Sequence, residues 1–281
     1  MINKQKIAFI GAGSMAEALI AGMLKEKLYT PDQITVTNRS NKDRLQYLHR
    51  TYKVNVTNDK KKLIHSADII ILAIKPKDIE ESLSPVSYLM NEQQLLISVL
   101  AGVSTLTITD ILSKNIPVVR VMPNTSASIG MSATALSLGQ YANRQHLQTV
   151  RTLFETVGIV TVVNEDDLHA VTGLSGSGPA YVYYLVEAME KAANEIGLNK
   201  NLAKELILQT IIGAAEMLKS SSKHPSILRK EITSPGGTTE AGIEVLEEYQ
   251  YQEAMIACIK RATERSSELG AALTELIANE S

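Results

Sequence analysis

A glycine-rich turn near the N-terminus constrains this chain more than any other feature. Residues 6–10 form a short apolar run that passes directly into Gly11-Ala12-Gly13-Ser14-Met15-Ala16, and an amphipathic stretch follows through residue 25. The turn fits G-x-G-x-x-A in the setting that pattern requires, after a strand and at the start of a helix. Gly11 permits the tight turn, Gly13 lets backbone approach a pyrophosphate, and Ala16 lets the helix pack closely on the strand. Free N–H groups at the helix start, around Ser14 and Met15, and the positive end of the helix dipole suit phosphate oxygens. Lys4 and Lys6 ahead of an apolar stretch have the look of a secretory leader, but Gly11, Gly13 and the early Glu17 fit strand-turn-helix better.

The alternation continues. Residues 34–38, 54–57, 68–75, 95–100 and 118–122 read as strands, and 41–52 and 59–65 as helices. The 68–75 run, DIIILAIK, is almost continuously apolar, as expected of a strand buried on both faces. Strands alternating with helices imply crossover units and a parallel, doubly wound α/β sheet. Runs at 133–138 and 158–163, flanking a helix near 145–154, finish that sheet at its edge. After Val163 no strand run appears. Helices are expected at 166–173, 179–196, 200–219, 239–246 and about 252–278, with breaks at 173–178 and 234–237. The boundary falls at 164–166, which gives a dinucleotide-binding domain over 1–164 and an all-α domain over 165–281. The stretches 179–189 and 202–217 are apolar on more than one face. Such helices must be buried, and a domain this small has little interior, so subunits associate through them.

The end of the second strand refines the cofactor. An acidic residue there would bind a ribose 2′-hydroxyl, but the residues are Asn38-Arg39-Ser40. Arg39 can pair with a 2′-phosphate while Asn38 and Ser40 donate hydrogen bonds. NADP(H) is therefore the expected cofactor, with NADH weaker. Open α/β sheets bind ligands beyond the carboxyl ends of their strands. Two more strand ends face the same crevice: Ala73-Ile74-Lys75-Pro76, where Lys75 can reach phosphate or ribose, and the Ala101-Gly102 turn, a small-residue floor for the nicotinamide ring.

Composition narrows the class. The 281 residues are 44% hydrophobic and carry a net charge of −2, with no basic excess to hold nucleic acid. Cys258 is the single cysteine, so no intrachain disulfide forms and a reducing compartment is natural. No apolar run is long enough to span a bilayer, and the reading is a soluble cytoplasmic protein. The five histidines lack metal-ligand spacing, and no metal is assigned.

Six motifs now stand in order: GAGSMAEA at 11–18, Asn38-Arg39, AIKP at 73–76, RVMPN at 120–124, GLSGSGPAY at 173–181 and SPGGTT at 234–239. Together they resemble pyrroline-5-carboxylate reductases from residue 5 to about 270. The resemblance implies reduction of L-1-pyrroline-5-carboxylate to L-proline by NAD(P)H, the last step of proline biosynthesis. It also implies an N-terminal Rossmann domain and a C-terminal helical dimerisation domain, whose dimers often assemble into decamers. By the same resemblance Thr239 hydrogen-bonds the imine nitrogen, and Ser234 with the N–H groups of Gly237 and Thr238 cradles the substrate carboxylate. Thr238 departs from members with alanine there, and Pro123-Asn124 also varies. Read on its own, the SPGG turn at a helix start suits an anion; equally, Thr238 or Thr239 simply caps the helix.

Three other readings compete. β-Hydroxyacid dehydrogenases also join a Rossmann domain to helices, and Gly173-Leu174-Ser175-Gly176-Ser177-Gly178 is similar to their glycine-rich helix start. Their catalytic lysine position falls on Val182, which offers no base. A reductase of another cyclic imine and an NADP-binding regulatory protein without catalysis are the remaining alternatives.

Overall fold

The first apolar run becomes β1 (Ile7–Ile10), buried throughout. In α1 (Ser14–Lys25) Ala16, Leu19, Ile20 and Met23 are buried, and their i, i+3, i+4, i+7 spacing makes one apolar face. The chain continues through β2 (Ile34–Thr37), α2 (Lys42–Tyr52), β3 (Asn55–Val56), α3 (Lys60–His65), β4 (Ile69–Leu72), α4 (Ile79–Leu83) and β5 (Leu95–Ser98). Asn41 and Asp59 cap α2 and α3 by accepting from the Arg44 and Lys62 N–H groups. A helix absent from the sequence reading follows, α5 (Thr105–Leu112). Its TLTIT start is β-prone, but the Ser104 cap and the burial of Thr105, Ile108 and Leu112 override local propensity. Then come β6 (Val118–Met122), β7 (Ser132–Leu138), α6 (Arg144–Glu155) and β8 (Gly158–Val162). These details come from a computed structural model that describes residues 4–280. Residues 1–3 and 281, assigned to the two domains from sequence, lie outside the described residues.

Among the described residues the strands form one sheet in the order β3-β2-β1-β4-β5-β6-β7-β8. β1 lies between β2 and β4, parallel to both, so the strand order reverses there and opens a crevice at the carboxyl ends. Two apolar layers cover the sheet. One contains Leu19, Leu48 and Phe154, and the other Leu63, Ile79 and Ile108. The sheet is not wholly parallel: β7 runs antiparallel to β6. The link between them contains only a short 3₁₀ turn, Thr125–Ile129, and a parallel return needs a longer crossover. α6 supplies one, and β8 is parallel to β7.

Contacts divide the chain into a unit of residues 1–179 with 260–281 and a unit of 180–259. This differs from the division at 164–166. α7 (Asp167–Val171) packs on β7 and stays with the sheet. Most of the segment expected to break at 173–178 is helical: Thr172–Gly176 forms a π-helical turn, with the Ser177 N–H donating to the Thr172 carbonyl at 2.9 Å. What interruption there is falls at Ser177, a bend after which α8 (Gly178–Glu195) begins. The second unit holds most of α8, then α9 (Lys200–Ser220), α10 (Pro225–Glu231), α11 (Thr238–Glu248) and the start of α12 (Tyr251–Glu280). Its buried apolar cluster is small, Ala193, Ala203 and Ile207, while Tyr184, Leu206, Ile212, Met217 and Val245 stay exposed. The rest of α12 belongs to the first unit. There Ser266 bonds His169 at 3.0 Å, and the Thr274 and Thr107 hydroxyls lie 3.3 Å apart.

Candidate active site

The parallel strands bring the expected cofactor residues to one edge of the sheet. Gly11, Gly13, Ser14 and Met15 follow β1; Asn38, Arg39 and Ser40 follow β2; Ala73, Lys75 and Pro76 follow β4; Ala101 and Gly102 follow β5. Gly11 has φ +113°, and a Cβ there would run into the Ala73 carbonyl, so both the turn and the close approach of β4 demand glycine. The Gly11 N–H donates to the Thr37 carbonyl at 2.9 Å. Gly13 differs: no atom lies within 4 Å of a Cβ built there, which leaves that side open to a ligand. It forms the N-cap of α1, and no side chain caps the helix. A cleft of about 590 Å³ lined by Ser14, Met15, Glu17, Tyr52, Thr125 and Ser128 opens beside it.

Arg39 is 72% exposed and pairs with Glu81 of α4 at 3.0 Å. An exposed pair of this kind is weak, worth about 0.2–1 kcal/mol, so Arg39 is free to turn toward a phosphate. The Asn38 side chain is already committed, donating to the Asn41 carbonyl at 2.7 Å. Lys75 is exposed at the start of a 3₁₀ turn, Pro76–Asp78. Gly102 takes φ +80°, and a Cβ there would sit 3.1 Å from the Ser266 carbonyl oxygen and 3.2 Å from the Gly270 N. Its side-chain direction therefore faces α12, and glycine is required there by helix packing as well as by the turn. Local sequence around Ala101-Gly102 carries no sign of this helix contact.

A network behind the turn escaped the sequence reading. Arg44 Nε donates to the Ala12 carbonyl at 2.7 Å, and Nη2 reaches the Gly13 carbonyl at 3.4 Å. The same guanidinium pairs with Glu17 and lies over the Tyr47 ring, 5.2 Å from its centroid. Glu17 also accepts from the Tyr47 and Tyr52 hydroxyls at 3.1 and 2.9 Å. Burial by itself would raise the Glu17 carboxyl, but hydrogen bonds from Arg44, Tyr52 and Tyr47 together hold it below the usual range. Burial, then the bond to Glu17, push the Tyr52 phenol up to about 12. Spacing gives no sign of this network, because its members meet only once α2 packs beside α1.

A second network stabilises the β5–α5 corner. Arg120 on β6 is 3% exposed, and its partner Glu165 lies 3.3 Å away. Glu165 also accepts from the Thr105 N–H and hydroxyl at 2.7 and 2.6 Å. Burial pulls the Arg120 guanidinium down, and Glu165 opposes that shift. Burial and the charge of Arg120 also lower His169, against Asp166 and Glu165. Asn124 of the variable Pro123-Asn124 pair has a structural role: its side chain donates to the Ser175 carbonyl at 3.0 Å and accepts from the Ser126 N–H.

The SPGG turn belongs to the second unit. Ser234-Pro235-Gly236-Gly237 closes with the Gly237 N–H donating to the Ser234 carbonyl at 3.0 Å, and Gly236 has φ +71°. Proline second and a positive-φ glycine third are the marks of a type II turn. The Gly237 N–H expected to face the substrate is thus engaged inside the turn, and the Gly236 N–H donates to Glu240 at 2.6 Å. The donors left are the N–H groups of Thr238, Thr239 and Glu240, which open α11 and have no intrahelical acceptors. Neither threonine caps the helix; Gly237 is the N-cap.

The model of pyrroline-5-carboxylate reductase dimerisation matches residues 165–269, and that of the NADP oxidoreductase, coenzyme F420-dependent family matches residues 6–102. Pyrroline-5-carboxylate reductase 2 of Bacillus subtilis strain 168 is 50% identical over 94% of this chain and 95% of its own length. The chain belongs to the pyrroline-5-carboxylate reductase family. Solved structures in this family superpose closely. The Coxiella burnetii reductase matches with a TM-score of 0.86 at 36% identity, covering 95% of this chain and 99% of that one. The Plasmodium falciparum enzyme, determined with NADP bound, matches with a TM-score of 0.88 at 28% identity, covering 96% and 100%.

Proposed function

We propose that the protein reduces L-1-pyrroline-5-carboxylate to L-proline in the cytoplasm, with NADPH as the preferred hydride source and NADH as the weaker one. The observation that carries this reading is the alignment at 50% identity with a named reductase over nearly the full length of both chains. The open side of Gly13 and the uncapped start of α1 fit a pyrophosphate, and the exposed Arg39 fits a 2′-phosphate. Lys75 and Ala101 are the further residues at this edge of the sheet for the cofactor. The nicotinamide supplies the hydride when the cofactor is bound.

The chain's own residues do the holding. The Thr238 and Thr239 N–H groups, with the Ser234 hydroxyl, take the substrate carboxylate at the α11 N-terminus, where the helix dipole favours an anion. The Thr239 hydroxyl hydrogen-bonds the imine nitrogen. A protonated cyclic imine accepts hydride readily, so orientation contributes more than acid strength. The exposed apolar side chains on α8, α9 and α11 support a homodimer through the second unit, with decamers built from such dimers. A single cysteine, and the absence among the described residues of a helix able to cross a membrane, are compatible with the cytoplasm.

A steady-state assay tests the reading by following nicotinamide absorbance with pyrroline-5-carboxylate and either cofactor. Proline formation, faster or tighter with NADPH, is expected; absence of turnover with both cofactors would overturn it. Thr239→Val should lower kcat with the cofactor KM unchanged, and unaltered kcat and substrate KM would remove Thr239 from the reaction.

A further inference from the structure

The two carbonyls that Arg44 grips belong to the peptides that form the phosphate cradle. The Ala12 carbonyl shares its peptide with the Gly13 N–H, and the Gly13 carbonyl shares its peptide with the Ser14 N–H. In a trans peptide the C=O and N–H point in opposite directions. Arg44 Nε, holding the Ala12 carbonyl at 2.7 Å, therefore turns the Gly13 N–H away from itself, and Nη2 at 3.4 Å adds a weaker hold on the Gly13 carbonyl, which already accepts from the Glu17 N–H of α1 at 3.1 Å. We infer that Arg44 is a positioning residue for the cofactor, fixing from behind the peptide groups that meet the pyrophosphate. The inference rests on the proposed reading that this turn binds NADP(H).

The surroundings of Arg44 suit that role. Its backbone is fixed because Asn41 accepts from the Arg44 N–H at 2.9 Å, and Asn38 in turn holds the Asn41 carbonyl. The 2′-phosphate loop and the pyrophosphate turn are thus tied through one short chain of hydrogen bonds. The guanidinium is planar with a rigid fork, so it can serve two carbonyls and Glu17 together, which a lysine ammonium on a flexible stem does not reproduce. Glu17 explains the rest. It stands in the first turn of α1, where a free carboxylate would repel a bound phosphate. Arg44, Tyr47 and Tyr52 all direct hydrogen bonds at it, so its charge is spent on anchoring Arg44. Removing Arg44 both loosens the cradle and uncovers that charge.

Three consequences separate this role from a merely structural one. The pyrophosphate is common to NADPH and NADH, so loss of Arg44 weakens both equally, whereas loss of Arg39 changes their ratio. Cofactor binding suffers more than kcat at saturation, because the reacting groups are untouched. Replacing Glu17 by glutamine in the Arg44→Met background restores part of the binding.

The test is fluorescence titration of wild type, Arg44→Lys, Arg44→Met and Glu17→Gln/Arg44→Met with each cofactor, together with kcat and KM. Binding by Arg44→Met is expected to weaken about thirtyfold and by Arg44→Lys about fivefold, equally for NADPH and NADH, given the strength of charge-assisted bonds. The double variant should recover about threefold as the uncompensated carboxylate is removed. If Arg44→Met folds poorly, Arg44→Lys keeps the charge and bulk and is decisive alone. Variants that bind both cofactors as wild type does overturn the inference, as does a loss confined to NADPH. If wild type itself binds neither cofactor, the functional reading fails, and this inference fails with it.

Discussion

Replacing Arg39 by aspartate should invert the cofactor preference, and the structure sets the size of the effect. In the free protein Arg39 pairs with Glu81 at 3.0 Å, with the two side chains 72% and 62% exposed. A pair this exposed contributes about 0.2–1 kcal/mol. A charge-assisted bond to a 2′-phosphate contributes about 1.5–3 kcal/mol. The difference, about 1–2 kcal/mol, corresponds to a preference for NADPH of about five- to thirtyfold. Aspartate removes that gain and sets a carboxylate against the phosphate, which adds about 1 kcal/mol for solvent-exposed charges at the dielectric of water. The ratio of kcat/KM for NADPH to that for NADH should therefore fall about thirty- to 150-fold. Glu81→Gln, which frees Arg39 from its partner, should raise the same ratio by no more than about fivefold. The assay is steady-state kinetics with each cofactor at matched ionic strength, repeated at higher salt, where the Arg39→Asp effect should shrink. Equal losses with both cofactors would show that Arg39 does not read the 2′-phosphate.

Other perturbations test the supporting structure. Gly102→Ala combines a left-handed φ of +80° with contacts at 3.1 and 3.2 Å to the α12 backbone. It should cost about 2–4 kcal/mol in denaturant unfolding, and unchanged stability would mean that α12 does not press on this turn. Glu165→Ala leaves the buried Arg120 charge without its carboxylate and should cost about 3–5 kcal/mol. Adding Arg120→Met should recover part of that loss, and no recovery would refute the unpaired-charge account. His169 is held below 6.5 in the folded state, by burial first and Arg120 second. The unfolded chain therefore binds the proton more readily, and stability is lost as pH falls below about 6.5. His169→Asn should flatten the melting temperature between about pH 7 and pH 5, and an unchanged slope would assign that dependence to other groups.

Much of the site was legible because it is local. The G-x-G-x-x-A turn, the strand that precedes it and the helix that follows occupy adjacent residues, and local preferences decide them. The absence of an acid at 38–40 was also visible, and Arg39 stands at the expected strand end. The SPGG turn was only half read. Its proline and glycines mark the turn, but a type II turn uses its own Gly237 N–H to close, so the unpaired donors of the helix start begin one residue along, at Thr238. The glycines at 173–178 suggested a break, yet most of them lie in a π turn, Thr172–Gly176, packed against β7, and the chain bends only at Ser177.

By itself the sequence determined the order of the strands and of most helices, the glycine turn and the basic character of the second strand end, since each depends on residues close in the chain. The tertiary structure alone decided that β7 reverses, that Gly102 faces Gly270, and that Arg44 and Glu17 stand behind the glycine turn. These features arise where segments far apart in sequence pack together. Packing depends on shape and partners in space, and no spacing along the chain records them.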